Sequence, residues 1–363
     1  MQKRPLGKTG LMVTQIGFGA IKLDGLDAKV ASDSLNRALD LGVNFIDTAR
    51  NYRSSEARIG AALKARRHEY HLATKTAARD AAGLMVELET SLRELQTDVI
   101  DLYQLHTVSD RVTFDQVMAP GGALEGAKKA QQQGKVRFIG LSCHRDTAVM
   151  RDAIESGAFE TIMVAHSLMD PENVEADGVL DLARQNRMGV IVMKALGGGA
   201  LHSPAPVGQR VKDDPIVRRV LRHLLRNDAI STVIPGITCV AEIEENVATG
   251  SMIEPISDAE MAQLIRDIGA LGKELRYGQR CLRCGYCQPC PQGIVVPDAF
   301  RAADMYRGYG DELKYMGVEL YESLAPKPDV CEECGRCVKK CPAGLDIPGK
   351  LKDVVELFGA IEG

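Results

Sequence analysis

Short apolar and β-branched runs alternate with segments of helical periodicity through the first 235 residues. The runs predict strands at Gln15–Ala20, Val43–Asp47, Tyr70–Lys75, Val99–His106, Val136–Ser142, Thr161–Ala165, Val190–Lys194 and Thr232–Pro235. Helical patterns lie between them, including Ala31–Leu41, Gly83–Leu95, Leu124–Gln133 and Val179–Gln185. This alternation indicates a parallel sheet, and eight such units in about 250 residues favour an α/β fold of the (β/α)8 TIM-barrel type.

An open, doubly wound sheet is the alternative to the barrel. No third glycine follows Gly17 and Gly19 to complete the dinucleotide-binding GxGxxG pattern that would favour it. Ser257 and Glu260 form a capping-box pattern, which predicts a last helix that closes the barrel.

The pattern changes around Arg276–Arg280, where the composition shifts towards cysteine. We therefore expect two domains, a barrel over residues 1–275 and a smaller, mainly α-helical domain over residues 276–363. A helix is predicted at Pro297–Leu324, and a final helix carries apolar residues at helical spacing. No internal repeat beyond the cysteine runs is evident.

Cysteine is the abnormal component of the chain, because eight of the ten cysteines fall between Cys281 and Cys341. The other two, Cys143 and Cys239, are interpreted as buried packing residues. The clustered ones form two runs, Cys281-x2-Cys284-x2-Cys287-x2-Cys290-Pro291 and Cys331-x2-Cys334-x2-Cys337-x3-Cys341-Pro342.

Three cysteines spaced by two residues offer three thiolates to one cubic cluster, and a fourth before proline serves a second cluster in bacterial ferredoxins. By this logic the two ligand sets are Cys281, Cys284, Cys287 and Cys341, and Cys331, Cys334, Cys337 and Cys290. The alternative, in which each run holds its own cluster, stays open. The first run departs from the ferredoxin spacing at its last cysteine. Structural zinc usually pairs two CxxC knuckles across a longer gap. The segment therefore resembles a dicluster [4Fe-4S] ferredoxin domain.

Composition excludes several classes of protein. The chain is 45% hydrophobic with a formal net charge of −4, so it lacks the basic character of a nucleic-acid-binding protein. No run of about 20 apolar residues predicts a membrane span, and the first residues lack a signal-peptide pattern. A dense cysteine cluster without a secretory signal favours metal binding over disulfides. We expect a cytoplasmic protein.

Polar residues collect where the predicted strands end, which is the catalytic face of a barrel. Asp47, Lys75 and His106 end three different strands, and Tyr52 follows Asp47 by five residues. A phenol is a poor acid at neutral pH because its pKa is near 10, and a nearby ammonium lowers that pKa. Asp47 would orient Lys75, and His106 would hydrogen-bond the reacting oxygen. The set predicts a proton donor aimed at a carbonyl that receives hydride from a nicotinamide.

The first 275 residues resemble the aldo-keto reductase family. The segments that carry the resemblance are RPLGKTGLMVTQIGFGA, GVNFIDTARNYRSSEARIGAAL, ATK, LYQLH, GKVRFIGLS and the stretch from IPG to EEN. The resemblance implies that Asp47, Tyr52, Lys75 and His106 form the catalytic tetrad, with Tyr52 as the general acid/base. The whole chain resembles the subgroup that carries a C-terminal dicluster ferredoxin domain.

The resemblance also implies where NADH or NADPH binds. The positions that match the family's nicotinamide contacts are Ser142, Met163 and Met193, where Cys143 and the two methionines replace the usual Asn, Gln and Tyr. His144 or His166 is a candidate to supply the missing hydrogen bonds. Glycines after strands seven and eight favour pyrophosphate binding, and they are Gly197, Gly198, Gly199 and Gly236. Glu242, Glu245 and Asn246 match the adenosine side. An acid there favours NADH over NADPH.

The substrate predicted from these features is a small polar carbonyl compound or alcohol, sugar-like or anionic. The chain contains no Trp, whereas cations lie near the strand ends at Lys22, Arg50, Arg53, Arg79, His144 and Lys194. The sequence is compatible with two functions. The first is a nicotinamide-dependent carbonyl reductase or alcohol dehydrogenase whose clusters are structural or serve an electron-transfer partner. The second is an iron–sulfur electron-transfer protein whose barrel docks or senses. No flavin site that would join two-electron and one-electron steps is recognisable.

Overall fold

The structure is a computed structural model, and it describes residues 1–144, 146–168, 174–175, 177–199, 201–203, 211–252, 254–269, 281, 284–308 and 314–360. The chain forms two compact units, which are described separately. The first comprises Met1–His166, Pro171–Ala195 and Leu221–Ile256, and the second comprises Ser167–Asp170, Leu196–Val220 and Ser257–Gly363. The domain boundary predicted at residues 275 and 276 lies outside the described residues.

The first unit is built on parallel strands that follow one another in chain order around a sheet. They are β3 (Phe18–Gly19), β4 (Phe45–Asp47), β5 (His71–Thr76), β6 (Ile100–Leu105), β7 (Val136–Cys143), β8 (Thr161–Ala165), β9 (Gly189–Met193) and β10 (Ile230–Val233). An antiparallel hairpin of β1 (Lys3–Pro5) and β2 (Met12–Thr14) precedes them. The strands are almost wholly buried, as expected of a parallel sheet covered by helices.

The sheet closes on itself between its first and last strands. Ile16 pairs with Val233 and Gly19 with Gly236, both in parallel orientation. The amide of Gly17 donates to the carbonyl of Val233 at 2.9 Å. A side chain at Gly19 would lie 2.6 Å from the carbonyl oxygen of Pro235, so the closure requires glycine there. The predicted (β/α)8 barrel is confirmed.

Helices connect the strands on the outside of the barrel. They are α1 (Ala28–Asp40), α2 (Ser55–Leu63), α3 (Ala81–Leu95), α4 (Arg111–Met118), α5 (Ala123–Gln132), α6 (Thr147–Glu155), α7 (Val179–Gln185), α8 (Pro215–Arg226) and α9 (Val240–Gly250). Several begin at an aspartate whose side chain accepts from a backbone amide of the first turn, as Asp80 does for α3 and Asp110 for α4. These caps fix where the chain turns after each strand.

The predicted strands agree with β3–β10 to within a few residues, and the predicted helices agree with α1, α3, α5 and α7. The last strand is predicted at Thr232–Pro235 and lies two residues earlier, at Ile230–Val233. Pro235 has no amide hydrogen to donate to a ladder. The first strand is regular only at Phe18–Gly19, because Gln15–Gly17 join the sheet through isolated bonds to Val233.

The second unit contains α10 (Asp258–Gly269), α11 (Val296–Gly308), α12 (Lys314–Glu322), α13 (Arg336–Lys339) and α14 (Ile347–Gly359). The capping box before α10 is confirmed, because the hydroxyl of Ser257 and the carboxylate of Glu260 bond each other's backbone amides at 3.2 and 2.9 Å. Among the described residues of the whole chain, no helix is long and apolar enough to cross a membrane.

The prediction of one helix at Pro297–Leu324 is wrong, because the structure has α11 and α12 in its place. The two pack closely, since a side chain at Gly317 would lie 2.7 Å from the carbonyl oxygen of Ala302. Glycines at 308 and 310 lower helix propensity between them. An apolar core holds these helices to α14, where the rings of Tyr321 and Phe358 stack with centroids 4.2 Å apart.

Candidate active site and cysteine centre

A buried ion pair joins the carboxyl ends of two neighbouring barrel strands. Nζ of Lys75, in β5, lies 2.6 Å from Oδ2 of Asp47, the last residue of β4. The same ammonium donates to the carbonyl of Thr48 at 2.7 Å, and Nε2 of Gln104 donates to the other Asp47 oxygen at 3.1 Å. Both side chains are almost fully buried. The pair is therefore held from three strands.

Burial and charge act in opposite directions on this pair. Burial raises the pKa of Asp47, and the charge of Lys75 opposes that rise. Burial lowers the pKa of Lys75, but the charge of Asp47 and the interaction with Tyr52 outweigh it, so the pKa lies above its ordinary value. Lys75 is therefore a stable cation beside Tyr52 at neutral pH.

Tyr52 lies next to this buried cation, and His106 lies next to Tyr52. The ammonium of Lys75 is 5.0 Å from the centre of the Tyr52 ring. The rings of Tyr52 and His106 meet edge to face, with centroids 5.8 Å apart. Tyr52 is half-buried, whereas His106 is 2% exposed. The structure thus brings together the four residues that the sequence singled out.

Positive charge surrounds His106. Burial holds the pKa of His106 well below its usual range, and the charges of Lys75, His144, Arg79 and Lys194 lower it further. His106 is therefore neutral at physiological pH, with one ring nitrogen carrying hydrogen. The charges of Arg79, His144 and Lys194, three cations predicted from the sequence, thus act on the same imidazole.

The other sequence-predicted cations have different surroundings. Arg50 forms ion pairs with Glu56 of α2 and Glu94 of α3, the latter at 2.8 Å. Arg53 pairs with Asp24 at 3.3 Å and is largely exposed. These two guanidinium groups are committed to neighbouring acids. Lys22 lies against Gly236, since its Cγ is 3.4 Å from where a side chain there would begin.

The predicted nicotinamide positions line the ends of adjacent strands. Ser142 of β7 pairs in register with Met163 of β8, and Ala165 of β8 pairs with Met193 of β9. Ser142, Met163 and Met193 are all buried. His166 also lies at these ends, where its amide donates to the carbonyl of Met193 at 3.2 Å. Its Nε2 is 3.3 Å from a carboxylate oxygen of Glu175.

The predicted phosphate and adenosine positions have distinct local structures. Gly197, Gly198 and Gly199 all have positive φ, a backbone that side chains rarely tolerate, and they leave the main chain open to close approach. In the first unit, Gly236 precedes α9. Glu242 accepts from the amide of Thr238 at 2.6 Å and from its hydroxyl at 2.9 Å. Asn246 is buried and Glu245 half-buried on the same helix.

Contacts that the sequence did not reveal connect these strand ends. Gln104 orients Asp47, and its amide in a fully buried strand is the signal that the sequence offers. The hydroxyl of Ser142 accepts from the amide of Thr107 at 2.8 Å. Thr107 directly follows His106 and has positive φ. This bond therefore helps to fix the loop that carries His106.

The surroundings of the cysteine thiols bear on whether they fit iron–sulfur clusters. Burial raises the pKa of Cys287 to about 12, and negative charges on Cys281, Cys284 and Cys341 add to that rise, followed by Cys337. Cys281, Cys284 and Cys341 are the partners that the crossing arrangement gives to Cys287. A cavity is lined by Cys290 together with the second-run thiols Cys331, Cys334 and Cys337, and also by Cys287. Both thiol groups suit thiolate-held clusters.

A site for a single metal ion needs a different arrangement of side chains from a site for a cubic cluster. Among the described residues, no group of three His, Cys, Asp or Glu side chains is arranged to hold one metal ion. A cubic cluster does not need such convergence, because each of its irons takes its own thiolate.

The two cysteine runs belong to a longer repeat, so the expectation that no repeat extends beyond them is wrong. The first run continues as CPQGIVVP and the second as CPAGLDIP. In both, the amide of the glycine donates at 3.0 Å to the carbonyl of the last cysteine. Both segments lead into a helix, α11 or α14. Gly285 and Gly335, each after the second cysteine of its run, have positive φ. The sequence similarity was hidden by differing apolar residues.

Comparisons with known proteins show to which family this fold and these residues belong. A closed barrel of parallel strands that alternate with helices defines the TIM-barrel fold. The Aldo/keto reductase family profile matches residues 15–215, and a 4Fe-4S dicluster domain profile matches residues 280–345. The chain belongs to the aldo/keto reductase family of oxidoreductases and carries a 4Fe-4S dicluster domain.

Individual relatives cover most of the barrel. The chain is 28% identical to L-galactose dehydrogenase of Arabidopsis thaliana over 70% of this chain and 90% of that protein. It is 25% identical to the NADH-specific methylglyoxal reductase of Escherichia coli over 74% and 98%. The holo form of aldo-keto reductase AKR11C1 from Bacillus halodurans matches with a TM-score of 0.62 and 28% identity, over 74% of this chain and 96% of that one.

Proposed function

We propose that the protein interconverts a carbonyl compound and an alcohol with a nicotinamide cofactor, and that Tyr52 is the general acid/base. The observation that carries the proposal is the position of Lys75, which bonds Asp47 at 2.6 Å and lies 5.0 Å from the Tyr52 ring. A fixed cation beside a phenol stabilises the negative charge left when the phenol gives up its proton.

Each residue of the group has a separate task. Tyr52 donates its proton to the carbonyl oxygen in reduction and takes it back in oxidation. Lys75 stabilises the phenolate, and Asp47 holds Lys75 in place. Neutral His106, 5.8 Å from Tyr52 between ring centres, donates a hydrogen bond to the same substrate oxygen. The bound nicotinamide supplies hydride to the carbonyl carbon.

The residues proposed to hold the nicotinamide lie along the strand ends. Ser142, Met163 and Met193 would contact the ring, and the positive φ of Gly197, Gly198 and Gly199 suits close approach of a pyrophosphate. We propose NADH as the preferred form. Glu242 places negative charge at the start of α9, after Gly236, and this charge would repel a 2′-phosphate. The NADH-specific relative from Escherichia coli supports this choice.

The substrate is proposed to be small and polar. The charges of Arg79, His144 and Lys194 lower the pKa of His106, so positive charge acts where the carbonyl oxygen would be held. Cations recognise hydroxyl, carboxylate and phosphate groups through charged hydrogen bonds. The absence of Trp removes the bulky aromatic contacts that would suit a hydrophobic aldehyde. A cytoplasmic location fits this proposal.

We propose that residues 1–275 form the catalytic domain and that residues 276–363 form a ferredoxin-like domain with two [4Fe-4S] clusters. Cys281, Cys284, Cys287 and Cys341 would hold one cluster, because the ferredoxin spacing takes the fourth thiolate from the other run. Cys331, Cys334, Cys337 and Cys290 would hold the other, and these four line one cavity together with Cys287. The clusters either stabilise the domain or exchange single electrons with a protein partner.

The alternative function is electron transfer, with the barrel as a docking or sensing module. A module of that kind has no need for a lysine and an aspartate held in place by three hydrogen bonds from three strands. The ion pair of Asp47 and Lys75, with Tyr52 and His106 beside it, therefore favours the reductase.

Replacing Tyr52 with phenylalanine tests the assignment directly. Tyr52→Phe keeps the ring against Lys75 and His106 and removes the proton donor. We expect carbonyl reduction to fall by at least about 100-fold, while NADH binding, measured by fluorescence titration, is retained. Tyr70→Phe is the matched control, because Tyr70 is buried at the start of β5 with its ring against Arg67. Undiminished turnover in Tyr52→Phe would refute the proposal.

A further inference from the structure

Arg79 extends from the loop after β5 towards the site. Its Nη2 donates to the carbonyl of Thr107 at 3.3 Å, and Thr107 is the residue after His106. The backbone of Arg79 is fixed as well, because its carbonyl accepts from the amide of Ala123 at 2.9 Å. The guanidinium is therefore placed beside the segment that carries His106.

One nitrogen of this guanidinium remains unused. Within the described part of the chain, Nη1 of Arg79 is buried and has no hydrogen-bond partner. A buried donor of a charged group is costly when it is left without a partner. Burial lowers the pKa of Arg79, and the negative charges of Asp110 and Glu87 oppose this effect.

The two acids near Arg79 are engaged elsewhere. Asp110 caps α4, where it accepts from the amide of Thr113 at 2.7 Å. Glu87 accepts from the hydroxyl of Thr76 at 2.6 Å and the amide of Ala77 at 3.0 Å. Their charges favour the protonated form of Arg79, and each carboxylate already accepts hydrogen bonds from other residues. Arg79 is thus a maintained cation with a donor to spare.

Two further groups extend this positive region. Lys194 directly follows β9 and has positive φ, which sets it apart from ordinary loop residues. His144 follows β7, is 1% exposed, and has its Nδ1 3.5 Å from the hydroxyl of Ser109. Like Arg79, each follows a different barrel strand, and the charge of each lowers the pKa of His106.

We propose that Arg79 binds an anionic oxygen group of the substrate, so that the enzyme acts on small carbonyl compounds that carry a carboxylate or phosphate. The inference rests on the proposed function and names the substrate class of that site. A planar guanidinium pairs with such a group through two parallel hydrogen bonds. An anion on Nη1 would satisfy that buried donor. Lys194 would add attraction without directional bonding.

The test compares matched substrates. Kinetics are measured on the intact holoprotein with oxo acids of increasing chain length and with their uncharged amides, and with glyceraldehyde 3-phosphate against glyceraldehyde. We expect the charged member of at least one pair to have the higher kcat/KM. A preference for the charged member in the oxo acid pairs would identify a carboxylate as the anionic group, and the same preference in the phosphate pair would identify a phosphate. Equal kcat/KM within every pair would overturn the inference and leave the proposed function standing.

Variants assign the preference to Arg79. Arg79→Gln should lower kcat/KM for the charged substrate by about 10- to 100-fold and leave the uncharged one nearly unchanged. Arg79→Lys should restore part of the preference. The matched control is Arg184→Gln on the exposed surface of α7. Equal losses for both substrates in Arg79→Gln would mean that Arg79 only supports Thr107, and would refute the inference. Failure of the proposed function is recognised separately, by turnover that survives Tyr52→Phe.

Discussion

The ammonium of Lys75 lies 2.6 Å from the carboxylate of Asp47, and neither side chain is more than 3% exposed. Removing one partner of a buried ion pair leaves the other charge buried without compensation. We therefore expect Lys75→Met to lower the free energy of unfolding by about 3–5 kcal/mol. Asp47→Leu combined with Lys75→Met should recover most of that loss. Denaturant unfolding followed by circular dichroism measures both.

The exposed pair of Lys29 and Asp33 on α1 supplies the control for this experiment. Lys29→Met should leave unfolding nearly unchanged, because water screens the pair. A double variant at Asp47 and Lys75 that is less stable than Lys75→Met alone would contradict the account of the ion pair.

His106 gives a pH dependence whose sign is fixed by its surroundings. Burial and the neighbouring cations hold its pKa well below 6.5 in the folded protein, whereas the unfolded chain takes up the proton near pH 6.5. Below pH 6.5 the unfolded state therefore binds more protons, and stability is lost as the pH falls. The wild type should lose up to about 1.4 kcal/mol per pH unit more than His106→Gln. Unfolding free energies between pH 7 and pH 5.5 measure this, and equal slopes would contradict it.

The ligand arrangement of the clusters is open to a double-variant test. If Cys284 and Cys341 serve one cluster, Cys284→Ser combined with Cys341→Ser removes no more iron than either single change, about half of the total. Cys334→Ser combined with Cys341→Ser should then remove nearly all of it. Iron and sulfide are counted after anaerobic purification.

The run-by-run arrangement predicts the reverse pattern for these two double variants. Cys143→Ser is the control, because Cys143 is buried at the end of β7, in the barrel unit. Loss of iron in that variant would show that fold stability and not ligation governs the iron content.

The sequence predicted the order of strands because buried parallel strands produce long apolar runs. It also predicted that Asp47, Lys75 and His106 share one end of the barrel. It could not predict where a side chain turns after leaving the strand. Arg50 follows Asp47 by three residues, yet it turns to Glu56 and Glu94 on the helices. Such pairing depends on how the helices pack.

Two further features escaped the sequence for related reasons. Gln104 lies in a buried strand, and its bond to Asp47 depends on the register between strands, which the sequence does not show. The repeat beyond the cysteine runs was obscured because GIVVP and GLDIP differ in most side chains. It becomes visible in the matching glycine bonds to Cys290 and Cys341.

The central claim is that the barrel reduces the carbonyl directly, with Tyr52 supplying the proton. The most direct measurement uses reduced nicotinamide that carries deuterium at its transferable position. The intact holoprotein is incubated with it and a carbonyl substrate without oxygen, and the alcohol is analysed by mass spectrometry. We predict an alcohol with deuterium on the former carbonyl carbon, and no such product from Tyr52→Phe. An alcohol without deuterium, formed while the cluster absorbance bleaches, would show that the electrons travel through the iron–sulfur domain and would contradict the account.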